Sequence, residues 1–424
     1  MVSRDPSDAR RTTGSGPVTD AGAAPARDSA RGSVSEVFRV FLKLGFTSFG
    51  GPVAHLGYFR DELVQRRKWV DDKEYADLVA LCQFLPGPAS SQVGFGLGLH
   101  RAGPFGALAA FLAFTLPSAA LLVAFAAGAS LFQGPVGEGV LNGLKIVAVA
   151  IVAQAVWGMA KALTPDRERA SIAVVAALAA ILLAGSLGQI AAIVIGALAG
   201  LVLCRPGTGG VTGLMRFPVS RTAGAACLAL FVVLLLGLPA LTLATGSAGV
   251  ALFEAFYRAG ALVFGGGHVV LPLLQAGVVD PGWVTSEQFL AGYGAAQAVP
   301  GPLFTFAAYL GTLAGVGAGG VAGAALALAG IFLPGFLLLL GVLPFWNRFR
   351  SRPHAQALMQ GANSAVVGIL AAALYNPVFT TAVTGPGEFC LALVCFVLLI
   401  AWKAPPWAVV LVGAAGGVLL AFLA

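Results

Sequence analysis

Apolar residues run in long windows over nearly the whole chain, and polar positions are gathered into short gaps between them. Read at the length of a bilayer-crossing helix, the windows predict thirteen segments: 38–58, 75–100, 104–131, 139–161, 170–185, 188–204, 221–244, 252–276, 287–311, 317–344, 356–379, 388–402 and 406–424. This pattern predicts an all-α polytopic membrane protein. The first 35 residues are the exception, being rich in Arg, Asp, Ser, Gly and Pro with almost no large apolar side chain. They read as a disordered, solvated tail. No apolar core precedes a small-residue cleavage site there, so the tail is not read as a signal peptide.

The pattern repeats. Gly45-x3-Phe49-Gly50-Gly51 matches Gly260-x3-Phe264-Gly265-Gly266, and Trp69-Val70 matches Trp283-Val284. Gln83-x2-Pro86-Gly87-Pro88 matches Gln297-x2-Pro300-Gly301-Pro302; Pro117 pairs with Pro334 and Gly143 with Gly361. The offset drifts only from 214 to 218 residues, which marks an internal duplication. The expected organisation is a cytoplasmic tail (1–35), a first repeat (36–204), a linking segment with one transmembrane helix (205–249) and a second repeat (250–424). The gap after the first segment carries Arg60, Arg66, Arg67 and Lys68, whereas its counterpart, 277–286, has no Lys or Arg. By the positive-inside rule the two gaps lie on opposite sides, so the repeat is inverted. All the basic gaps share one side only if 38–58, 75–100, 252–276 and 287–311 are re-entrant, leaving nine full crossings and a cytoplasmic N-terminus.

Composition narrows the function. The chain is 58% hydrophobic and 10% charged, against roughly 25% charged in soluble domains, so most of it belongs in a bilayer. The net charge of +7 comes largely from the gaps and the tail, where topology accounts for it without a nucleic-acid partner. The five cysteines have no CxxC or Cys/His spacing, which argues against a metal site or a disulfide framework. A GxxxxGK[ST] phosphate loop, HExxH and GxSxG are all missing, so neither ATP hydrolysis nor an embedded protease or hydrolase is expected. No cofactor is expected.

The candidate chemistry sits at the doubled Pro-Gly-Pro. Two prolines without donors and a glycine between them break a helix, and in lipid each unpaired backbone group is costly. Pro52, Pro88 and Pro302 are placed as first-turn residues of half-helices, with Thr47, Ser48, Ser90, Ser91, Gln92, His268 and Thr305 nearby. Half-helix N-termini meeting at mid-membrane offer free N–H groups and partial positive charge to an anion. Few ionisable residues lie in the apolar windows: Lys43, the aligned Arg258 with Glu254 one turn before it, and Lys145 opposite Asn363. Asp and Glu are nearly absent from them, which favours an anion over a metal cation. His55 and His268 are proton-carrying candidates.

The stretches Phe46-Thr47-Ser48-Phe49-Gly50-Gly51-Pro52-Val53-Ala54-His55, Tyr58-Phe59-Arg60, Leu85-Pro86-Gly87-Pro88-Ala89-Ser90-Ser91-Gln92 and Phe114-Thr115-Leu116-Pro117-Ser118 resemble the chromate ion transporter family in its two-half, long-chain form. The resemblance runs from about residue 38 to the C-terminus. It implies a multi-pass plasma or inner membrane transporter that exports chromate and confers resistance to it, with sulfate as competitor. An anion leaving against its gradient needs an energy source, and protons are the candidate coupling ion. The site expected on residues and resemblance together comprises Lys43, Thr47, Ser48, Gly50, Gly51, Gln83, Pro86, Gly87, Pro88, Ser90, Ser91, Arg258, Gly265, Gly266, His268, Gln297, Pro300, Gly301 and Pro302. The second repeat reads Val263-Phe264-Gly265-Gly266-Gly267-His268, without the Thr-Ser pair or the proline, so the halves need not play equal roles. The alternatives are an importer or exchanger of sulfate or another oxyanion, and a passive anion channel. A homodimer is the expected assembly, although no feature of the sequence specifies one.

Overall fold

The computed structural model describes residues 32–128, 134–183, 185–204, 217–264, 266–317, 319–346 and 352–423. Gly265 lies outside the described residues, as do most of the tail and Arg205, Arg216, Arg348 and Arg350. Among the described residues every regular element is helical.

The first repeat opens with two short broken pairs. Helix α1 (Val34–Thr47) stops at a break and the chain restarts as α2 (Gly51–Phe59), which continues with π-helical hydrogen bonding over Arg60–Arg66. Helix α3 (Asp72–Phe84) stops at the first Pro-Gly-Pro, and α4 (Ala89–Ala127) follows with a sharp kink at Ala102–Gly103. The 14 residues of α1 and 13 of α3 span about 20 Å each, too short alone for a hydrocarbon core of about 30 Å.

The outer ends of these arms meet at one face. Gly32 N–H donates to Arg101 O (3.0 Å), the Arg101 guanidinium pairs with Glu36 (3.2 Å), and it lies 5.4 Å from the centre of the Trp69 ring. The start of α1, the turn before α3 and the end of the first arm of α4 are therefore neighbours, and both broken pairs are hairpins. Residues 104–127 of α4 then leave that face parallel to α1, with Gly45 packed against the backbone of Ala113 and Phe114.

Helices α5 (Gly134–Leu163), α6 (Arg167–Leu182), α7 (Gly185–Leu203) and α8 (Arg221–Thr245) shuttle between the faces. Counting the outer part of α4, five passages separate the opening hairpins of the first repeat from α9 (Ala248–Ala261). Being odd, that number starts the second repeat on the opposite face. Helix α8 links the repeats on the outside: Leu236 is 71% exposed and Leu243 88%, which suits a lipid-facing strut.

The second repeat copies the plan. A turn at Gly267–Val269 leads into α10 (Val270–Leu274) and a π-helical turn to Val279. Then come α11 (Ser286–Ala296), the second Pro-Gly-Pro, and α12 (Phe306–Leu313) after a turn at Leu303–Thr305. Gly315 N–H donates to Trp283 O (3.2 Å), and a Cβ on Gly317 would lie 3.6 Å from Ala248, so these arms also end together. Gly260 packs on Ile331 of α13 (Gly320–Val342) as Gly45 packs on Phe114. The chain closes with α14 (Pro353–Ala373, prolonged to Ala382), α15 (Pro386–Ile400) and α16 (Pro406–Leu423). Six of these helices are long and apolar enough to cross a bilayer unaided. With α6, α7 and α15, nine segments of the described chain pass from face to face.

The repeats interlock. Helix α5 packs on α16 through Gly143 against Gly413 and Gly139 against Gly417, and α14 packs on α7 through Gly361 against Gly196 and Ala357 against Gly200. Small residues four apart let backbones approach closely where lipid gives helices no hydrophobic reason to associate. The third helix from the end of each repeat, α5 or α14, thus packs on the last helix of the other, α16 or α7, and 32–424 form one compact unit.

Among the described residues, Arg66, Arg67, Lys68, Arg101, Arg167, Arg221, Arg352 and Lys403 lie at the first face. The turns at 246–247, 280–285 and 383–385 on the other face hold no Lys or Arg. In an otherwise cysteine-free chain, Lys73→Cys and Pro281→Cys, both exposed, should react with an impermeant thiol reagent from opposite sides of sealed vesicles. Reaction of both from one side would refute the inversion.

Candidate functional site

The four breaks come together at the middle of the molecule. Each has a local cause. Helix α1 ends because Ser48 turns extended (φ −89°, ψ 95°), and Gly50 takes a left-handed φ of +99° to restart the chain as α2. Helix α3 ends at Leu85 (φ −82°, ψ 149°), the residue before a proline, where helical ψ is disfavoured. Pro52 falls in the first turn of α2 as expected. Pro88 and Pro302 instead sit one place earlier, at the N-caps of α4 and of the Leu303 turn, where a missing N–H also costs nothing.

The breaks are tied crosswise between repeats. Gly87 N–H donates to Val263 O (2.8 Å) and Gly301 N–H to Ser48 O (2.8 Å). Ser48 and Val263 are equivalent, 215 apart, as are Gly87 and Gly301, 214 apart, so the two bonds are mates across the pseudo-two-fold axis. Pro52 packs on Gly267, 3.2 Å from where its Cβ would stand. Each repeat's Pro-Gly-Pro holds the other repeat's glycine break.

Capping differs by location. At the outer ends, Ser33 caps α1, and capping boxes Asp71/Glu74 and Thr285/Gln288 close α3 and α11. At the crossing, the segments that begin after Gly50, Pro88, Gly266 and Pro302 have no side-chain cap. Uncapped N-termini leave N–H groups and the positive end of the helix dipole facing the centre.

A cavity of about 270 Å³ opens beside the crossing. It is lined by Gly50 and Gly51 from one repeat, His268 and Gln297 from the other, Ile151 and Gln154 of α5, and Leu399, Lys403, Ala404 and Pro406 where α15 turns into α16. His268 Nδ1 lies 2.6 Å from Tyr293 Oη. With the phenol donating to Nδ1, the Nε2 hydrogen is left for a ligand. Gln297 Nε2 has no partner among the described residues.

Behind Gly50 lies a second polar group in the first repeat. Ser48, His55, Ser90, Ser91 and Gln92 are buried. His55 Nδ1 is 3.4 Å from Ser90 Oγ, and Gln92 Nε2 donates to Pro86 O (3.1 Å) and Gly335 O (2.8 Å). Ser48 Oγ, Ser91 Oγ and His55 Nε2 have no partner among the described residues.

Other expected site residues stand apart from the cavity lining. Lys43 has a 56% exposed side chain 3.6 Å from Glu62, and Thr47 is exposed with its hydroxyl donating to Lys43 O (2.9 Å). Gln83 is exposed. Arg258 lies 3.4 Å from Glu254, one turn away. Gly266, Pro300 and Pro302 shape the crossing without lining the cavity.

Sequence patterns missed Gln154, a polar residue in an otherwise apolar window, and Lys403, counted only as a loop charge. They also missed two buried acids, Glu62 (9% exposed) and Asp77 (4% exposed), so the interior is less free of carboxylates than window composition implies. Trp346 Nε1 donates to Asp77 (3.3 Å). Burial opposes ionisation of Glu62, but hydrogen bonds from Arg67 and Arg66 and the charge of Lys43 outweigh it and lower its pKa. Among the described residues no cluster of His, Cys, Asp and Glu could hold a metal ion.

A model of the chromate transporter family matches residues 35–201 and again 250–418, one match per repeat with α8 between. A "probable chromate transport protein" of Synechococcus elongatus is 32% identical over 351 residues, 81% of this chain and 84% of the relative. The chromate transport protein of Pseudomonas aeruginosa is 30% identical over 397 residues, 91% of each chain. That of Cupriavidus metallidurans is 27% identical over 388 residues, 90% of this chain and 92% of the relative. No solved structure matches the chain.

Proposed function

The chain belongs to the chromate transporter family, and from that premise we propose that it is a secondary active transporter that exports chromate from the cytoplasm. It is a multi-pass membrane protein and a transporter rather than an enzyme. The observation that carries the reading is the convergence of four uncapped N-terminal turns beside a cavity lined by Gly50, Gly51, Gln154, His268, Gln297 and Lys403. Every polar side chain in that lining can donate a hydrogen bond, and none is a carboxylate. Chromate is a tetrahedral dianion. Stripping its water is expensive unless donors and a cation replace it. Sulfate has nearly the same shape and charge and competes for the same donors. In this reading the basic face and the N-terminus are cytoplasmic, which the positive-inside rule supports.

Inverted repeats that cross at broken helices support alternating access, in which the halves rock about a central site. Energy comes from an ion gradient, with protons as the coupling ion and His268 as the titratable group at the crossing. The test is chromate uptake into inside-out vesicles, with sulfate, molybdate and phosphate as competitors. Saturable uptake that sulfate inhibits and that collapses with the proton gradient is expected. Flux that follows voltage alone without saturation would make the protein a channel, and uptake only in right-side-out vesicles would make it an importer.

A further inference from the structure

We propose that Lys403 is the cation that binds the oxyanion, that it is reached from the basic face, and that a mirror-related cavity on the opposite face is the release side. The inference rests on the reading of the crossing as an anion site.

A dianion in a site of neutral donors needs a nearby positive charge. The cations that precede the breaks face carboxylates and do not line the cavity: Lys43 lies 3.6 Å from Glu62, which Arg66 and Arg67 share, and Arg258 lies 3.4 Å from Glu254. Lys403 forms no ion pair among the described residues and lines the cavity together with Gly50 and Gly51. Its backbone is held at φ +52°, a left-handed conformation that among described non-glycine residues only Lys68 shares. Ala404 N–H to Leu398 O (3.0 Å) and Trp402 N–H to Val397 O (3.3 Å) fix the turn, and Pro405 and Pro406 stiffen the entry to α16. Strain of this kind persists where the surroundings over-determine it, as at ligand clamps.

The pseudo-two-fold axis supplies an independent observation. A second cavity, of about 250 Å³, is lined by Ile369, Ala372, Ile181 and Gln189, which are the repeat mates of Ile151, Gln154, Leu399 and Pro406 at offsets of 217 or 218. It differs in two ways. Among the described residues its lining reaches Pro272 but includes neither Gly266 nor Gly267, whereas the Lys403 cavity includes Gly50 and Gly51. It also carries Asp280 and, among the described residues, no Lys or Arg. The position equivalent to Lys403 is Gly185 or Ser186, which puts no cation there. The Lys403 cavity therefore joins the basic face to Gly50 and Gly51 at the crossing, and an anion meets a positive charge on that side and a negative one on the other.

The test uses the full chain, purified for equilibrium binding of chromate and placed in inside-out and right-side-out vesicles for flux. Replacing one charge-assisted hydrogen bond, Lys403→Gln should weaken chromate binding and raise KM at the basic face about 10- to 100-fold. It should leave half-saturation from the opposite face within a few-fold of the unsubstituted protein, and Lys403→Arg should restore most of the affinity. Unchanged binding by Lys403→Gln, or an equal loss from both faces, would overturn the inference while leaving the transporter reading intact. Failure of the unsubstituted chain to bind any tetrahedral oxyanion would overturn both.

Discussion

Gly87→Ala and Gly301→Ala should each abolish transport and lower thermal stability, and by similar amounts. Gly87 has φ +120° and donates to Val263 O; an added Cβ would lie 3.0 Å from Gly335 Cα and 3.1 Å from Gln92 Nε2. Gly301 has φ +99° and donates to Ser48 O; its Cβ would lie 2.9 Å from Ser118 Oγ and 3.2 Å from Phe114 O. Both φ values are ones an L-residue adopts at a cost of order 1–3 kcal/mol. The crowding is with backbone or buried side chains, which cannot swing away, so the inter-repeat hydrogen bond is lost with it, about 1 kcal/mol more. The sum is a large share of a typical folding free energy. Gly57→Ala is the control: Gly57 is exposed in a helix with nothing within 4 Å of its Cβ, and alanine there should be neutral or slightly stabilising. Vesicle flux and the unfolding temperature of the purified protein decide the matter. Normal flux with unchanged stability in either variant would show that its Pro-Gly-Pro does not hold the partner break.

The crosswise bonding explains which parts of this structure were legible in the sequence. Breaks are legible because proline and glycine remove donors and side chains, and lipid leaves few places for that. Inversion is legible because Arg60, Arg66, Arg67 and Lys68 have no counterpart in 277–286. The π-helical extension to Arg66 was not legible. It carries Glu62 into the packed interior and sets it against Lys43, which the sequence showed only as an ionisable residue in an apolar window. Nor was the swapped packing: Gly139 and Gly143 have the spacing of a close helix contact, but nothing in one sequence says that Gly413 and Gly417 are the partners. Lys403 is some 350 residues from Gly50 and Gly51, so only the folded chain can place them in one cavity. Local chemistry was written in local sequence, and the identity of the charge facing the substrate was not.

Gly51 offers the converse case, a glycine whose space belongs to the ligand. It lines the cavity, and nothing lies within 4 Å of where its Cβ would be. A cysteine there meets no backbone, so Gly51→Cys should fold and keep part of its transport despite the cost of its positive φ, on the order of 1–2 kcal/mol. Its thiol would stand at the uncapped start of α2, where a helix N-terminus and Lys403 lower a thiol pKa and attract an anionic reagent. A small negatively charged thiol reagent applied from the basic face should therefore react quickly and stop transport almost completely, since the adduct would occupy the substrate's place. Chromate or sulfate should slow that reaction in proportion to site occupancy, and the same reagent should act far more slowly from the opposite face, where the second cavity carries Asp280 and does not include Gly51. The unsubstituted chain, with Cys390 as its one exposed cysteine among the described residues, serves as the background. Rapid modification that leaves flux unchanged would remove Gly51 from the transport path. Modification that neither oxyanion slows would place the anion elsewhere, in the buried group of Ser48, Ser90, Ser91 and His55 behind the same break.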